Sequence, residues 1–110
     1  MKYRHLGNSG LEVSVIGLGT NNFGGRMEFK EAREVIFSAL DQGINLIDTA
    51  NIYSHGRSEE IIGRALADRR QESLIATKFG MVWEDGPHGH GGSRKHIMDS
   101  LEGSLRRLQT

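Results

Sequence analysis

Ile44-Asn45-Leu46-Ile47-Asp48-Thr49-Ala50-Asn51-Ile52-Tyr53 is the stretch on which the reading of this chain turns. Apolar Ile44, Leu46 and Ile47 run into a carboxylate, and a tyrosine follows five residues later. A short apolar run that stops at polar residues suits a strand whose C-terminal end opens on a loop. Leu74-Ile75-Ala76-Thr77-Lys78 repeats the pattern and stops at an ammonium. Neighbouring parallel strands lie about 5 Å apart, so side chains at two such strand ends can meet, and the loop can bring Tyr53 back over them.

Helical spacing flanks these runs. Ala32, Val35, Ile36, Ala39 and Leu40 mark a first helix, with Gly43 at its C-terminal cap. Ser58 is expected to cap a second helix, with Glu59 and Glu60 favoured by the positive helix start. Ile61, Ile62, Ala65 and Leu66 form its buried stripe. A third helix is expected after Ser93, with Ile97, Leu101, Leu105 and Leu108 as its stripe. At the start, Tyr3–Leu6 and Glu12–Val15 read as a hairpin around Gly7-Asn8-Ser9-Gly10. Val15-Ile16-Gly17-Leu18-Gly19 has no alternation and suits a strand buried on both faces.

The order is therefore a hairpin followed by β-α-β-α-β-α, in one α/β unit covering residues 1–110. Alternating strands and helices imply parallel strands joined by right-handed crossovers. An open doubly wound sheet and a (β/α)8 barrel both fit. Gly17-Leu18-Gly19-Thr20-Asn21-Asn22 carries Asn where the third glycine of a dinucleotide-binding G-x-G-x-x-G belongs, which disfavours a Rossmann start. Polar residues gather at the C-terminal strand ends, where a barrel places its site, although an open sheet uses the same edge.

Composition narrows the function. Fourteen basic residues balance fourteen acidic ones, which gives no electrostatic reason to propose nucleic acid or an acidic membrane as partner. The absence of cysteine excludes disulfides, thiolate metal sites and a cysteine nucleophile. No apolar run reaches the roughly 18 residues of a spanning helix, and MKYRHLGNSG lacks the apolar core of a signal peptide. A cytoplasmic location is the expectation. His88 and His90 sit in the glycine-rich stretch Gly86–Gly92, read as a loop and not as a metal site.

The Asp48, Tyr53 and Lys78 trio suits one kind of chemistry. A phenol ordinarily ionises only near pH 10, about three units above neutrality. A neighbouring ammonium favours the phenolate and makes the phenol a better acid. A carboxylate would hold that ammonium charged and oriented. The phenol could then protonate a carbonyl oxygen as a hydride reaches its carbon, the hydride coming from a cofactor because no side chain supplies one. The plainer readings are a turn residue for Asp48, packing for Tyr53 and a solvated Lys78.

The chain resembles the aldo-keto reductases. Asp48-Thr49-Ala50 followed by Tyr53 is similar to that family's signature, and Ser58-Glu59-Glu60-Ile61-Ile62-Gly63 and Ala76-Thr77-Lys78 continue the likeness. So do Leu6-Gly7-Asn8-Ser9-Gly10-Leu11 and Gly17-Leu18-Gly19-Thr20. Ser93-Arg94-Lys95-His96-Ile97 and Ser104-Leu105-Arg106-Arg107-Leu108 look most like the branch with the potassium-channel β subunits and their bacterial relatives. The resemblance implies the hairpin and first three βα units of a (β/α)8 TIM barrel, truncated before the fourth strand. It implies an NADP(H)-dependent oxidoreductase that reduces aldehydes or ketones, with a cofactor-binding regulatory subunit as the alternative. Tyr53 would be the proton donor, Lys78 its activator, and Asp48 the partner of Lys78 near the nicotinamide ribose. Thr20, Asn21 and Arg26 would join Asp48 in contacting the cofactor, and Phe79 and Trp83 could line the substrate mouth. A small carbonyl compound is the expected partner. The family's fourth catalytic residue, a His, falls beyond Thr110. The isolated chain is therefore expected to be inactive and to self-associate through the unpaired edge of its sheet.

Overall fold

The computed structural model describes residues 1–110. Strands β1 (Tyr3–His5) and β2 (Glu12–Ser14) form an antiparallel hairpin. Then follow β3 (Leu18–Gly19), α1 (Phe29–Asp41), β4 (Leu46–Asp48), α2 (Arg57–Ala65), β5 (Leu74–Ala76) and α3 (Arg94–Leu108). The sheet β3-β4-β5 is parallel throughout, with Gly19, Asp48 and Ala76 in one register row.

The core lies between this sheet and its helices. Ile36 and Leu40 of α1 meet Ile47 of β4 and Ile61, Ile62 and Leu66 in and just after α2. The pleat of β4 explains its polarity: Ile47 is 1% exposed toward the helices, whereas its neighbours Leu46 and Asp48 are only half-buried. The hairpin is anchored at the opposite end of β4 from Asp48. There the Asn45 side chain accepts from Ser14 N at 2.8 Å and donates to Glu12 O at 3.0 Å.

Several expectations hold. The α2 stripe is buried as read from its spacing. Gly43 follows the α1 cap residue Gln42 at φ 85° and donates its N–H to Leu40 O at 2.8 Å. Ser93 caps α3 by accepting from His96 N at 3.1 Å.

Three differ. First, Ser58 is not the α2 cap. The helix begins at Arg57 behind left-handed Gly56, which places Ser58 and Glu59 inside its first turn, both 0% exposed. Second, strand β3 is confined to Leu18–Gly19, and Val15 and Ile16 are exposed. β3 pairs only with β4 and forms the edge of the sheet. Third, α3 is turned by about one residue, or 100°, from the expected orientation. Ile97, Leu101 and Leu105 face outward, while His96, Ser100, Gly103, Ser104 and Leu108 are buried. Gly63 of α2 lets the C-terminal end of α3 approach closely. A Cβ on Gly63 would come within 2.9 Å of Leu108 Cα.

Candidate active site

The parallel register delivers the trio to one place. Past the last ladder row, Thr20 N donates to Asp48 O at 3.1 Å, Thr49 N to Ala76 O at 2.8 Å, and Asn51 N to Lys78 O at 3.0 Å. Lys78 lies two residues beyond Ala76, the register partner of Asp48, and so emerges on the same side of its strand. Its Nζ reaches both Asp48 carboxylate oxygens at 2.7 Å. The two side chains remain 48% and 49% exposed. So exposed a pair contributes only about 0–1 kcal/mol to stability, and folding alone does not call for it at an open strand end.

Tyr53 joins them from the loop. Lys78 Nζ stands over its ring, 5.3 Å from the centroid. Tyr53 opens a short 3-10 turn, Tyr53–Gly56, whose backbone is unusual. Ser54 and His55 both have positive φ, at 48° and 50°, and Gly56 follows at 90°. Gly56 is also needed for space, since a Cβ there would lie 2.8 Å from Arg107 Cδ.

A buried relay of hydroxyls underlies Asp48. The Ser58 hydroxyl donates toward Thr20, with Thr20 O at 3.1 Å and Thr20 Oγ1 at 3.0 Å. Having spent its one proton there, it accepts from Thr49 Oγ1 at 3.0 Å. Thr20 Oγ1 in turn donates to Asp48 O at 2.9 Å. This network ties the ends of β3 and β4 to α2, and it is where the hydroxyl expected to cap α2 is used.

The remaining candidates fall around this centre. Thr20 is 1% exposed, with its hydroxyl turned to the Asp48 backbone. Asn21 is exposed at the rim, and Arg26 is exposed in the turn that follows. Phe79 is 43% exposed beside Lys78. Trp83 is half-buried and stacked on His55, with ring centroids 4.0 Å apart and planes 7° from parallel. Sequence reasoning missed the wholly buried Glu59, which binds Thr77 and Arg107 at 2.6 Å each. Its helical position gave only the dipole as a signal, because its partners lie 18 and 48 residues away.

Comparison with known proteins gives the chain its family. The chain is 42% identical to a probable voltage-gated potassium channel subunit beta of Oryza sativa subsp. japonica, over 98% of its own length and 34% of the relative's. It is also 42% identical to aldo-keto reductase YhdN of Bacillus subtilis (strain 168), over 100% of its length and 35% of the relative's. It therefore spans about a third of the length of the curated relatives it matches. The solved aldo-keto reductase AKR11C1 from Bacillus halodurans (holo form) superposes with a TM-score of 0.88 at 41% identity, covering 100% of this chain and 37% of that one. With the family pattern of the aldo/keto reductases running through residues 15–110, from β3 to the end of α3, the chain belongs to the aldo/keto reductase family.

Proposed function

We propose that these 110 residues form the proton-delivery part of an NADP(H)-dependent oxidoreductase that reduces aldehydes or ketones to alcohols. The observation that carries this is Lys78 Nζ, held by both Asp48 oxygens at 2.7 Å and placed 5.3 Å from the Tyr53 ring centroid. An ammonium there stabilises negative charge on the phenol as its proton leaves for a carbonyl oxygen. Asp48 keeps the ammonium oriented, and the parallel register beneath it aligns the two strand ends. When bound, the nicotinamide supplies the hydride.

The residues present fit the ribose end of such a cofactor. Asp48 offers a half-exposed carboxylate, an acceptor for ribose hydroxyls, and Asn21 offers an exposed amide at the adjoining strand end. Thr20 contributes by fixing the Asp48 backbone, and Arg26, exposed in the turn after β3, would be the cation for a phosphate. The parallel three-stranded sheet with one helical layer supports its place as the first three βα units of an eight-stranded barrel. Three strands do not close such a barrel, so the 110 residues alone should turn over no aldehyde.

Titrating the labelled chain with NADPH while following amide resonances tests the reading. Saturable shifts at Asn21 and Asp48, lost in Asp48→Ala, are expected. Shifts absent at both, or unchanged in Asp48→Ala, would overturn it. A second reading, a cofactor-binding regulatory subunit, draws on the likeness to the rice relative. NADPH oxidation by a longer polypeptide containing this sequence separates the two. Aldehyde-dependent turnover abolished by Tyr53→Phe favours the reductase, and tight cofactor binding without turnover favours the subunit.

A further inference from the structure

Glu59 is completely removed from solvent on the first turn of α2, and the chemistry above makes no use of it. A buried carboxylate persists only when its oxygens are matched by donors. Both are. Oε1 accepts from the Thr77 hydroxyl at 2.6 Å, and Oε2 accepts from Arg107 Nε at 2.6 Å.

Each donor leads to a different member of the trio. Thr77 directly precedes Lys78 at the exit of β5. Arg107, on α3, stands over the Trp83 ring at 4.8 Å, and Trp83 stacks on His55 at 4.0 Å. His55 lies two residues after Tyr53, within the pair of left-handed non-glycine residues. L-residues adopt that backbone only when their surroundings hold them there. The stack on Trp83 supplies such a hold. Gly24 adds another, for a Cβ on it would come within 3.3 Å of Ser54 Cβ.

The two arms therefore meet at one carboxylate. We propose that Glu59 is a positioning residue that sets the separation between Tyr53 and Lys78. It fixes the chain at Lys78 through Thr77, and the turn bearing Tyr53 through Arg107, Trp83 and His55. This rests on the reading of Tyr53 and Lys78 as the proton-delivery pair. A carboxylate that merely joined α2 to α3 would need Arg107 alone. The second bond, to the residue beside Lys78, distinguishes the two roles.

Nuclear Overhauser contacts between the Lys78 Hε protons and the Tyr53 ring protons read that separation in the 110-residue chain. The wild-type chain should show them. Thr77→Val removes one hydroxyl from a half-buried site and should abolish the contacts, while Thr77→Ser restores them. Trp83→Leu breaks the other arm and should abolish them too, while Trp83→Phe keeps them. Helix content by circular dichroism confirms that each variant is folded, and if one valine or leucine variant fails to fold, the other decides. Full contacts in a folded Thr77→Val or Trp83→Leu chain would overturn the proposal. Contacts missing from the wild-type chain would instead sink the pairing of Tyr53 with Lys78, and this proposal with it. NADPH binding is read separately, so its failure leaves the positioning result intact.

Discussion

Gly63→Ala sets two opposing effects against each other, and the structure decides the sign. Gly63 lies within α2, where replacing glycine by alanine ordinarily gains about 1 kcal/mol of helix propensity. The new methyl would fall on the Arg107 carbonyl and come within 2.8 Å of Leu108 C and 2.9 Å of Leu108 Cα. All three atoms are backbone, so none can rotate away. α3 must retreat by about 1 Å to restore ordinary carbon contacts of about 3.5–4 Å. Such overpacking costs about 1–3 kcal/mol, occasionally more. The retreat also uncovers Leu108, which is 4% exposed, and stretches the Arg107 bond to Glu59. These losses exceed the propensity gain, leaving a net destabilisation of about 1–2 kcal/mol, or roughly 5–15 °C in Tm for a chain of this size. Gly103→Ala is the internal control. It lies in α3, and the atoms nearest its methyl would be those of the Arg107 guanidinium, with the two terminal nitrogens at 3.1 Å and 3.4 Å. That contact is with a side chain and not with backbone, but Glu59 and Trp83 hold the guanidinium, so its displacement offsets the propensity gain and Gly103→Ala should be close to neutral. Thermal unfolding followed at 222 nm measures both. A Gly63→Ala chain as stable as the wild type would refute the close approach of α2 and α3.

Other predictions concern the hydroxyl relay, acid stability and association. Ser58→Ala removes the centre of the buried relay and leaves Thr49 and Thr20 short of partners, costing about 1–3 kcal/mol. Urea unfolding should show the loss as a lower midpoint at unchanged slope, and an unchanged midpoint would count against the relay. The hydrogen bond from Lys95 holds the Asp99 carboxyl below its ordinary range, as the bond from Arg69 does for Glu72. A carboxyl depressed in the folded state contributes fully above its unfolded value of about 4, and the contribution disappears as pH falls through the folded value. Asp99→Asn should therefore lose less stability than the wild type on acidification below about pH 4, and identical acid slopes would contradict this. The free edges of β3 and β5, together with the outward stripe of Ile97, Leu101 and Leu105, should drive self-association. Light scattering should show the apparent mass rising with concentration and falling in Ile97→Glu/Leu101→Glu, whereas a wild-type monomer at all concentrations would exclude it.

How much the sequence disclosed depended on how local the signal was. The α2 stripe, the Ser93 cap and the Gly43 terminus are each written in a handful of adjacent residues, and each is where it was expected. Asp48 and Lys78 were legible for a related reason, since each ends an apolar run and the parallel register aligns those ends. The orientation of α3 was not legible. Hydrophobic periodicity selected Ile97, Leu101 and Leu105, yet the buried side is lined by Ser100, Gly103 and Ser104. Gly103 leaves room for the Arg107 guanidinium that reaches Glu59, and a hydrophobicity pattern does not register such a need for space.

Glu59 carries the same lesson into the site. By its position on α2 it reads as a solvated carboxylate complementing a helix dipole. In the fold it is the most completely enclosed charge near the trio, and both its partners come from other elements. The residues proposed for proton transfer can announce themselves by type, because a carboxylate and an ammonium at neighbouring strand ends with a phenol on the next loop have few other uses together. Those proposed to hold them in place have no such signature. Thr77, Arg107 and Trp83 are individually unremarkable, and what distinguishes them is that their contacts form one connected path between Tyr53 and Lys78. Such a path exists only after α3 has docked, so the packing of Gly63 against Leu108, far from any reacting atom, belongs to the same question as the geometry of the site.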